Sequence, residues 1–565
     1  MVKKFLGMFH REIGSLHEAA YLLASFSLLS QILAVVRDRL LAHNFGAGQT
    51  LDIYYAAFRI PDLIYVSIAS FVAVTILIPF LLEKLGKSDH EAFIFIDAVF
   101  TVFLLVIFAV CAVAFFLMPF LAHIVAPGFE GEAKHTFVFM ARVLLLSPIL
   151  LGISNLLGSI TQLYKKFFVF ALSPVLYNAG IIVGLLFFEP KLGLFGVVLG
   201  VVLGAAMHMS IQLPVVERSG IAPRGKFLFR AFRTPETIAD LKRLVRTSIP
   251  RTISLSLTQI VTLVLVSVAS ILSPGAISIF SLSNNLQSVP LAVIGMSYSV
   301  AAFPMLASYF SSGKQDKFKA QLLSATKHIL FWSLPAAALF IVLRAQIVRV
   351  LYGSGAFTWA DTRLTAAALG LFALSVTAQS LVLLYARGYY AAGNTSRPLS
   401  INAFSSALII VLAAVLVPLF HHAEGFRFFF ENLLRVDDLP GTTILMLPLS
   451  FSIGMIVNAS LLIYFFKKDF GLSFASIQKS FHHGIYGALF MGFVAYQFLD
   501  FLDDFFNLNT FMGIFLQGLI AGVAGIIAGI ALLWVLDNDE IKVVARTLHA
   551  KFWKTKTVAS SQDEL

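Results

Sequence analysis

The sequence predicts an all-α polytopic membrane protein of about fourteen transmembrane helices. They form two pseudo-symmetric six-helix lobes and two further C-terminal helices. Three observations carry this. Of the 565 residues, 59% are hydrophobic and only 13% charged, with a mean hydropathy of +0.88. Soluble domains run at roughly 45–50% apolar residues, so a soluble enzyme, a disordered chain and a collagen are excluded. The apolar residues fall into runs of about 20, the length that spans a bilayer as a helix. Finally, short motifs recur at a near-constant offset.

The spans are expected, in order, near 18–36, 53–82, 93–121, 136–162, 167–188, 193–214, 247–272, 276–309, 321–343, 364–391, 398–420, 443–466, 481–499 and 510–536. The first carries Ser30 and Gln31 and runs into Arg37, Asp38 and Arg39. The second and eighth are long and hold internal prolines, Pro61 and Pro290, which predict bends. The third contains Cys111, the only cysteine, so there is no intrachain disulfide and no multi-cysteine metal site. In the sixth, Gly193, Gly196, Gly200 and Gly204 are spaced for close helix packing.

The formal charge is +11, and its placement reads as topology rather than nucleic-acid binding. With a cytoplasmic N-terminus, 27 of the 41 Lys and Arg lie in cytoplasmic segments, nine in outer loops and five (Arg59, Arg142, Arg251, Lys327, Arg387) inside spans. This bias places both termini in the cytoplasm. The boundaries follow: a cytoplasmic amphipathic segment (1–16), a first lobe (17–216), a basic linker (217–246), a second lobe (247–470), two further spans (471–540) and a cytoplasmic tail (541–565).

The repeat rests on three pairings. Ser30-Gln31 matches Thr258-Gln259 at an offset of 228, and Pro61 matches Pro290 at 229. Pro174 and Asn178 match Pro398 and Asn402 at 224. Two six-helix repeats of parallel topology put a substrate site between the halves, as in transporters.

Charge inside a bilayer is costly, so it faces protein or a water-filled cavity. Ser30 and Arg37 are seven residues apart and share a helical face. Asp38 and Arg39 follow at the outer mouth. Asp52, Arg59 and Asp62, at spacings of seven and three, predict a second charged face on one helix. Arg142, Arg251 and Arg387 add positive charge. Arginines lining one cavity suit an anion, since the planar guanidinium binds phosphate through paired donors. In the opposing reading Asp52 and Asp62 neutralise Arg59, and Arg37 and Arg39 reach to the interface. The chain has no H-E-x-x-H, G-x-S-x-G or Walker A motif. Asp500, Asp503 and Asp504 read as a solvated outer loop.

Several stretches resemble the MurJ/MviN family of lipid II flippases, within the MOP exporter superfamily. They are Ser30 to Asp38, Phe45-Gly46-Ala47-Gly48, Asp52, Ala57 to Pro61, Leu172 to Asn178, Gly193 to Gly204 with Gln212 to Pro214, Ile347 to Thr358 with Asp361 and Thr362, and Ala386 to Pro398. The resemblance covers roughly residues 20–470. It implies two six-helix lobes around a cavity that opens alternately to each side. The lipid-linked headgroup crosses there, cationic residues hold the diphosphate, and the undecaprenyl tail stays in lipid along spans thirteen and fourteen. Departures from the family pattern fall at Gln31, Ala34, Tyr65-Val66, Ser70-Phe71 and Asn284-Asn285. The position of an Asp that binds Na⁺ in some members corresponds to Leu265. A charged loop, 421–441, is inserted between spans eleven and twelve.

The expected function is therefore outward translocation of a polyprenyl-diphosphate-linked glycan precursor, lipid II, across the bacterial cytoplasmic membrane for peptidoglycan synthesis, by alternating access. The substrate-binding candidates are Arg37, Arg59, Arg142, Arg251, Ser30, Gln31, Asn284 and Asn285. Asp38, Asp52 and Asp62 are candidates for gating or charge pairing. No cofactor, metal or nucleic acid is expected; coupling to Na⁺, H⁺ or membrane potential stays open. The partners are the undecaprenyl-linked glycan lipid, membrane lipids and peptidoglycan-synthesis proteins, with the chain acting as a monomer. The alternatives are a polysaccharide-unit flippase, a drug or cation antiporter of the same superfamily, or a non-transporting scaffold of envelope synthesis.

Overall fold

The computed structural model describes residues 16–69, 74–223, 225, 235–473 and 475–552. The expected N-terminal segment up to residue 15, the linker residues Arg224, Lys226, Arg230 and Arg233, and the end of the tail lie outside the described residues. Among the described residues every regular element is helical and none is a strand. The first half runs α1 (Leu16–Phe45), α2 (Gln49–Ala57), α3 (Arg59–Ala69), α4 (Val74–Leu85), α5 (Asp89–Val125), α6 (Gly131–Leu144), α7 (Leu146–Leu163), α8 (Phe167–Val183), α9 (Glu189–Leu192), α10 (Leu194–Ser210) and α11 (Leu213–Glu217). The second runs α12 (Pro235–Ser270), α13 (Ala276–Pro290), α14 (Ser297–Ser311), α15 (Gln315–Val342), α16 (Arg344–Tyr352), α17 (Trp359–Ala373), α18 (Val376–Ala391), α19 (Ser396–His422), α20 (Glu424–Leu434) and α21 (Met446–Phe470). Then follow α22 (Ala475–Leu502), α23 (Phe511–Val535) and α24 (Asp539–Phe552).

Eleven of the described helices are long and apolar enough to cross a membrane, or twelve if the bent pair α17 and α18 is one span. These coincide in order with the third to fourteenth expected spans. The first two expected spans correspond to α1 and to the broken run α2–α4, which do not meet the same measure, so the full fourteen are not reached by it. Both runs include residues outside the described set, the side chains of 16–21 and the whole of 70–73. The second run is interrupted at Phe58.

That interruption follows from Pro61, which lacks the N–H that would bond the Ala57 carbonyl one turn earlier, while Phe58 itself keeps right-handed helical angles (φ −75°, ψ −21°). Pro290 behaves as expected of a helix-interior proline: the next six residues, Leu291–Met296, form a π-helical segment, the local widening that a lost i→i−4 bond permits. A break between α17 and α18 bends that pair by 42°.

The chain divides into two compact units. One comprises Met1–Asn285, Leu351–Ala368 and Thr395–Gly454; the other comprises Leu286–Val350, Leu369–Asn394 and Met455–Leu565. In the first, α8 and α10 meet backbone to backbone: a Cβ on Gly180 would lie 2.3 Å from the Gly204 Cα, and one on Gly200 2.5 Å from the Gly184 Cα. The glycine stripe is thus a packing surface, as expected. The linker is tied at both ends. Asp97, wholly buried in α5, accepts from the Gly225 N–H at 2.8 Å, and Lys84 on α4 pairs with Asp240 on α12. In the second unit, Phe466 on α21 stacks with Phe318 on α15 at 6.1 Å and meets Tyr389 on α18 edge-on at 4.9 Å.

The internal repeat has a packing counterpart. Asn178 on α8 donates to the Ser30 hydroxyl on α1 at 3.1 Å. Asn402 on α19 donates to the Ser254 hydroxyl on α12 at 3.3 Å. Each asparagine lies 148 residues beyond its serine. The structural match of Ser30 is therefore Ser254, not Thr258, and its offset equals that of the proline and asparagine pairs.

Candidate functional site

Asn178 is the hub of the site. Its amide nitrogen holds Ser30 and the Pro174 carbonyl, 3.2 Å away, and its amide oxygen accepts from Arg37 at 3.1 Å. That carbonyl lies one turn below the asparagine on the same helix, within reach of an i→i−4 side-chain bond. Arg37 in turn pairs with its neighbour Asp38: Nε donates at 2.9 Å and a terminal nitrogen stands 2.7 Å from the same oxygen. The second Asp38 oxygen accepts from Asn285 of α13 at 2.9 Å. A continuous polar line therefore joins Ser30, Asn178, Arg37, Asp38 and Asn285.

Asp38 is 4% exposed and Arg37 20%, so the pair is held out of water by its surroundings. Such a pair survives burial only where its remaining donors and acceptors are filled, and Asn178 and Asn285 do that. A guanidinium has five N–H donors, and the hydrogen bonds described use three of them. One donor is left on each terminal nitrogen, the arrangement that grips a phosphate. Around the pair stand Tyr54, Tyr55 and Tyr352, within electrostatic reach of Arg37 or Asp38. The hydroxyls of Tyr55 and Tyr352 are buried and have no hydrogen-bond partner among the described residues. Unsatisfied buried hydroxyls are unusual, and here two stand beside the arginine.

Arg59 and Asp62 adjoin this line. Arg59 Nε donates to the Tyr55 carbonyl across the break, at 3.1 Å, leaving both terminal nitrogens unused. Asp62 interacts electrostatically with Arg59 and Tyr177, but no ion pair at contact distance joins it to Arg59.

Asp52 belongs to a separate contact. Its carboxylate accepts from the Gly275 N–H at 2.6 Å, the Ser278 N–H at 2.7 Å and the Ser278 hydroxyl at 2.6 Å. No arginine is involved, which corrects the idea that Asp52 orients or neutralises one. The donors lie at the start of α13, where the partial positive charge of a helix end favours a carboxylate. Nearby backbones are in close approach. A Cβ on Gly275 (φ +90°) would fall 2.1 Å from the Ala47 carbonyl oxygen, and one on Gly46 (φ +62°) 2.6 Å from that of Ala356. Ala356 N donates to the His43 carbonyl at 2.8 Å. The glycines at 46 and 355 are thus explained by contact between the two loops that carry them.

The other candidates separate from this group. Arg142 donates to the Phe115 carbonyl at 2.9 Å and lies 4.7 Å over the Phe115 ring, a cation–π contact that commits it to α5. Arg251 falls within α12, but its side chain lies outside the described residues. Gln31 and Asn284 are half-buried. Arg387, in the second unit, bonds to Ser299 at 2.7 Å. Tyr54, Tyr55, Tyr352, Gly275 and Ser278 were not singled out from sequence. No group of three or more His, Cys, Asp or Glu that could hold a metal occurs among the described residues.

The family model described as Lipid II flippase MurJ matches residues 41–516. The chain belongs to this family. Among curated MurJ proteins, that of Burkholderia cenocepacia is 26% identical over 416 residues, covering 72% of this chain and 80% of that protein. The probable MurJ of Rickettsia prowazekii is 29% identical over 396 residues, covering 69% and 76%. A solved lipid II flippase MurJ in an inward closed conformation shares the fold, with a TM-score of 0.71 at 23% identity over 94% of this chain and 99% of that one. An inward-facing MATE transporter of the MOP superfamily also shares it, with a TM-score of 0.64 at 14% identity over 78% and 94%. The chain is therefore a multi-pass transporter of the MurJ family, a bacterial inner-membrane protein whose partner is a lipid-linked substrate.

Proposed function

We propose that this lipid II flippase holds the diphosphate of its substrate on Arg37, with Arg59 as the second cation and the Tyr55 and Tyr352 hydroxyls as neutral donors. The observation that carries the reading is the Arg37 fork. Asp38 and Asn178 orient the guanidinium while two N–H groups and two buried phenols beside it stay unfilled. The headgroup moves outward by alternating access, the undecaprenyl tail remaining in lipid, with both termini in the cytoplasm. Asp52 acts as a latch: outward opening requires its carboxylate to leave the start of α13.

A cation antiporter fits less well. It needs carboxylates available to a cation, whereas Asp38 is taken by Arg37 and Asn285, and Asp52 by Gly275 and Ser278.

The test is rescue of a bacterium depleted of its own lipid II flippase. Charge-assisted hydrogen bonds are worth about 1.5–3 kcal/mol, so Arg37→Ala is expected to lower transport roughly 10- to 100-fold. Removing Arg37 also strands a buried Asp38, so Arg37→Ala/Asp38→Asn is needed beside it. Loss of rescue by both variants at native membrane levels supports substrate contact. Full rescue by the double variant removes Arg37 from the site. Failure of the native chain, well inserted, removes lipid II.

A further inference from the structure

The inserted segment between α19 and α21 is where the chain departs from the family pattern in length, and the substrate site does not involve it. It is an ordered element. Ala423 alone (φ −100°, ψ 92°) separates α19 from α20. The ring of Phe426 meets Phe420 at the end of α19 at 6.3 Å and Phe430 at 4.9 Å. Thr442 donates to Glu431 at 2.6 Å. After α20, Arg363 at the start of α17 grips both Asp438 carboxylate oxygens and the Arg435 carbonyl. The helix is thus fixed against the end of α19 from beneath and from its far end.

What it presents outward is apolar. Phe428, Phe429 and Leu433 are 68%, 58% and 59% exposed. At 3.6 residues per turn, Phe429 and Leu433 sit one above the other and Phe428 lies one step round. Glu424, Arg427 and Glu431 gather on the flank opposite Phe429 and Leu433, with Phe428 and the exposed Asn432 between the two flanks, and Arg427 and Glu431 pair at 3.8 Å. A helix end facing water reverses this pattern. The same exposed character continues down α19, where Phe404, Val411, Val415 and Leu419 form one exposed stripe at spacings of seven, four and four. That stripe is the lipid-facing side of a membrane span, and α20 extends it at the span's end.

We infer that α20 is an interfacial helix whose Phe428, Phe429 and Leu433 face is seated in the headgroup–acyl boundary of the leaflet where α19 ends. Aromatic side chains concentrate at that depth, and helices with one apolar and one charged side lie there parallel to the surface. In the proposed orientation this is the outer leaflet. The insertion then fixes the depth of the α19–α21 end of the protein in the bilayer. The inference does not depend on which substrate is carried.

The test uses the full chain with Cys111→Ser and a single cysteine at position 429, labelled with an NBD fluorophore. It is reconstituted in vesicles of phosphatidylethanolamine and phosphatidylglycerol. The expected result is strong quenching by lipids carrying a nitroxide at acyl carbon 5, weaker quenching from carbon 12, and iodide quenching several-fold below that of a label at exposed position 191. Iodide quenching equal to that of position 191 overturns the inference, because the face is then in water. Shielding from both iodide and lipid nitroxides also overturns it, because protein then covers the face. A label at Leu433 in place of Phe429 repeats the measurement with both phenylalanines intact, so loss of one anchor does not decide the result.

Discussion

Asp52 is held by three N–H and O–H donors and by no cation among the described residues, and this makes its replacement informative. Asp52→Asn preserves shape but removes the charge and turns an amide donor toward groups that themselves donate. A buried hydrogen bond left unmade costs about 1–3 kcal/mol, so the latch at the start of α13 weakens by roughly 5- to 150-fold. The expected outcome is greater labelling of a cysteine at Tyr54 by a membrane-impermeant maleimide added outside; unchanged labelling and unchanged transport sink the latch. The contrast with Arg37 shows what single residues disclose. Arg37 was legible because a charge at the end of an apolar run stands out. The partners of Asp52 were not, because Gly275 and Ser278 lie 223 and 226 residues away and are ordinary turn and helix-start residues. Tyr55 and Tyr352 were hidden for a different reason: in an apolar sequence a tyrosine beside an arginine looks like any packed aromatic ring.

Among the elements, the close approach of α10 to its neighbour and the proline-marked α2–α3 junction were both readable. Four glycines at near-regular spacing announce close helix approach; the structure places Gly200 and Gly204 against Gly184 and Gly180 and Gly196 against Phe188, while Gly193 meets nothing within 4 Å. Gly200→Val is therefore expected to destabilise by about 1–3 kcal/mol or more through overpacking. Gly425→Ala on α20, whose added Cβ meets nothing within 4 Å, is expected to be neutral or slightly stabilising. Thermal unfolding followed by size-exclusion chromatography separates the two, and equal stability refutes the packing role. The junction falls at Phe58, beside the Ala57 carbonyl that Pro61 cannot bond. The clamp on α20 carries a pH signature. The Arg363 guanidinium holds the Asp438 carboxyl below the usual carboxylate range. A lowered folded value contributes stability above the unfolded value of about 3.9 and loses it as pH falls through the folded one. Proteolysis within 423–441 is thus expected to be constant from pH 8 to 5 and to rise only in stronger acid. A rise near pH 6 would reject the clamp.

For the whole molecule, two sequence properties of different kinds foretold two different things. The near-constant offset foretold internal symmetry, and it survives as the matched hydrogen bonds of Asn178 with Ser30 and Asn402 with Ser254. Aligning Ser30 with Thr258 was wrong by one helical turn, an error that apolar sequence invites, since positions four apart share a face. The distribution of Lys and Arg predicts orientation, a property that resides in the relation between chain and membrane. With 27 basic residues expected on one side and nine on the other, the positive-inside bias predicts that both termini and the 217–246 linker are cytoplasmic. Cys111 is the only cysteine and is buried, so Cys111→Ser gives a clean background for single-cysteine mapping. Lys134, in the first turn of α6, is half-buried, and Arg243, in the first part of α12, is exposed. Replacing Arg243 removes a surface pair with Glu83, 3.2 Å apart and half-exposed, and a cation–π contact with Phe80 at 5.1 Å, contacts of modest worth at an exposed site. In intact cells an impermeant maleimide is expected to label a cysteine at 134 directly and one at 243 only after lysis. The reverse pattern would invert the topology and, with it, the side from which the Asp52 latch opens. Labelling of both positions before lysis would place the linker outside and end the positive-inside argument for this chain.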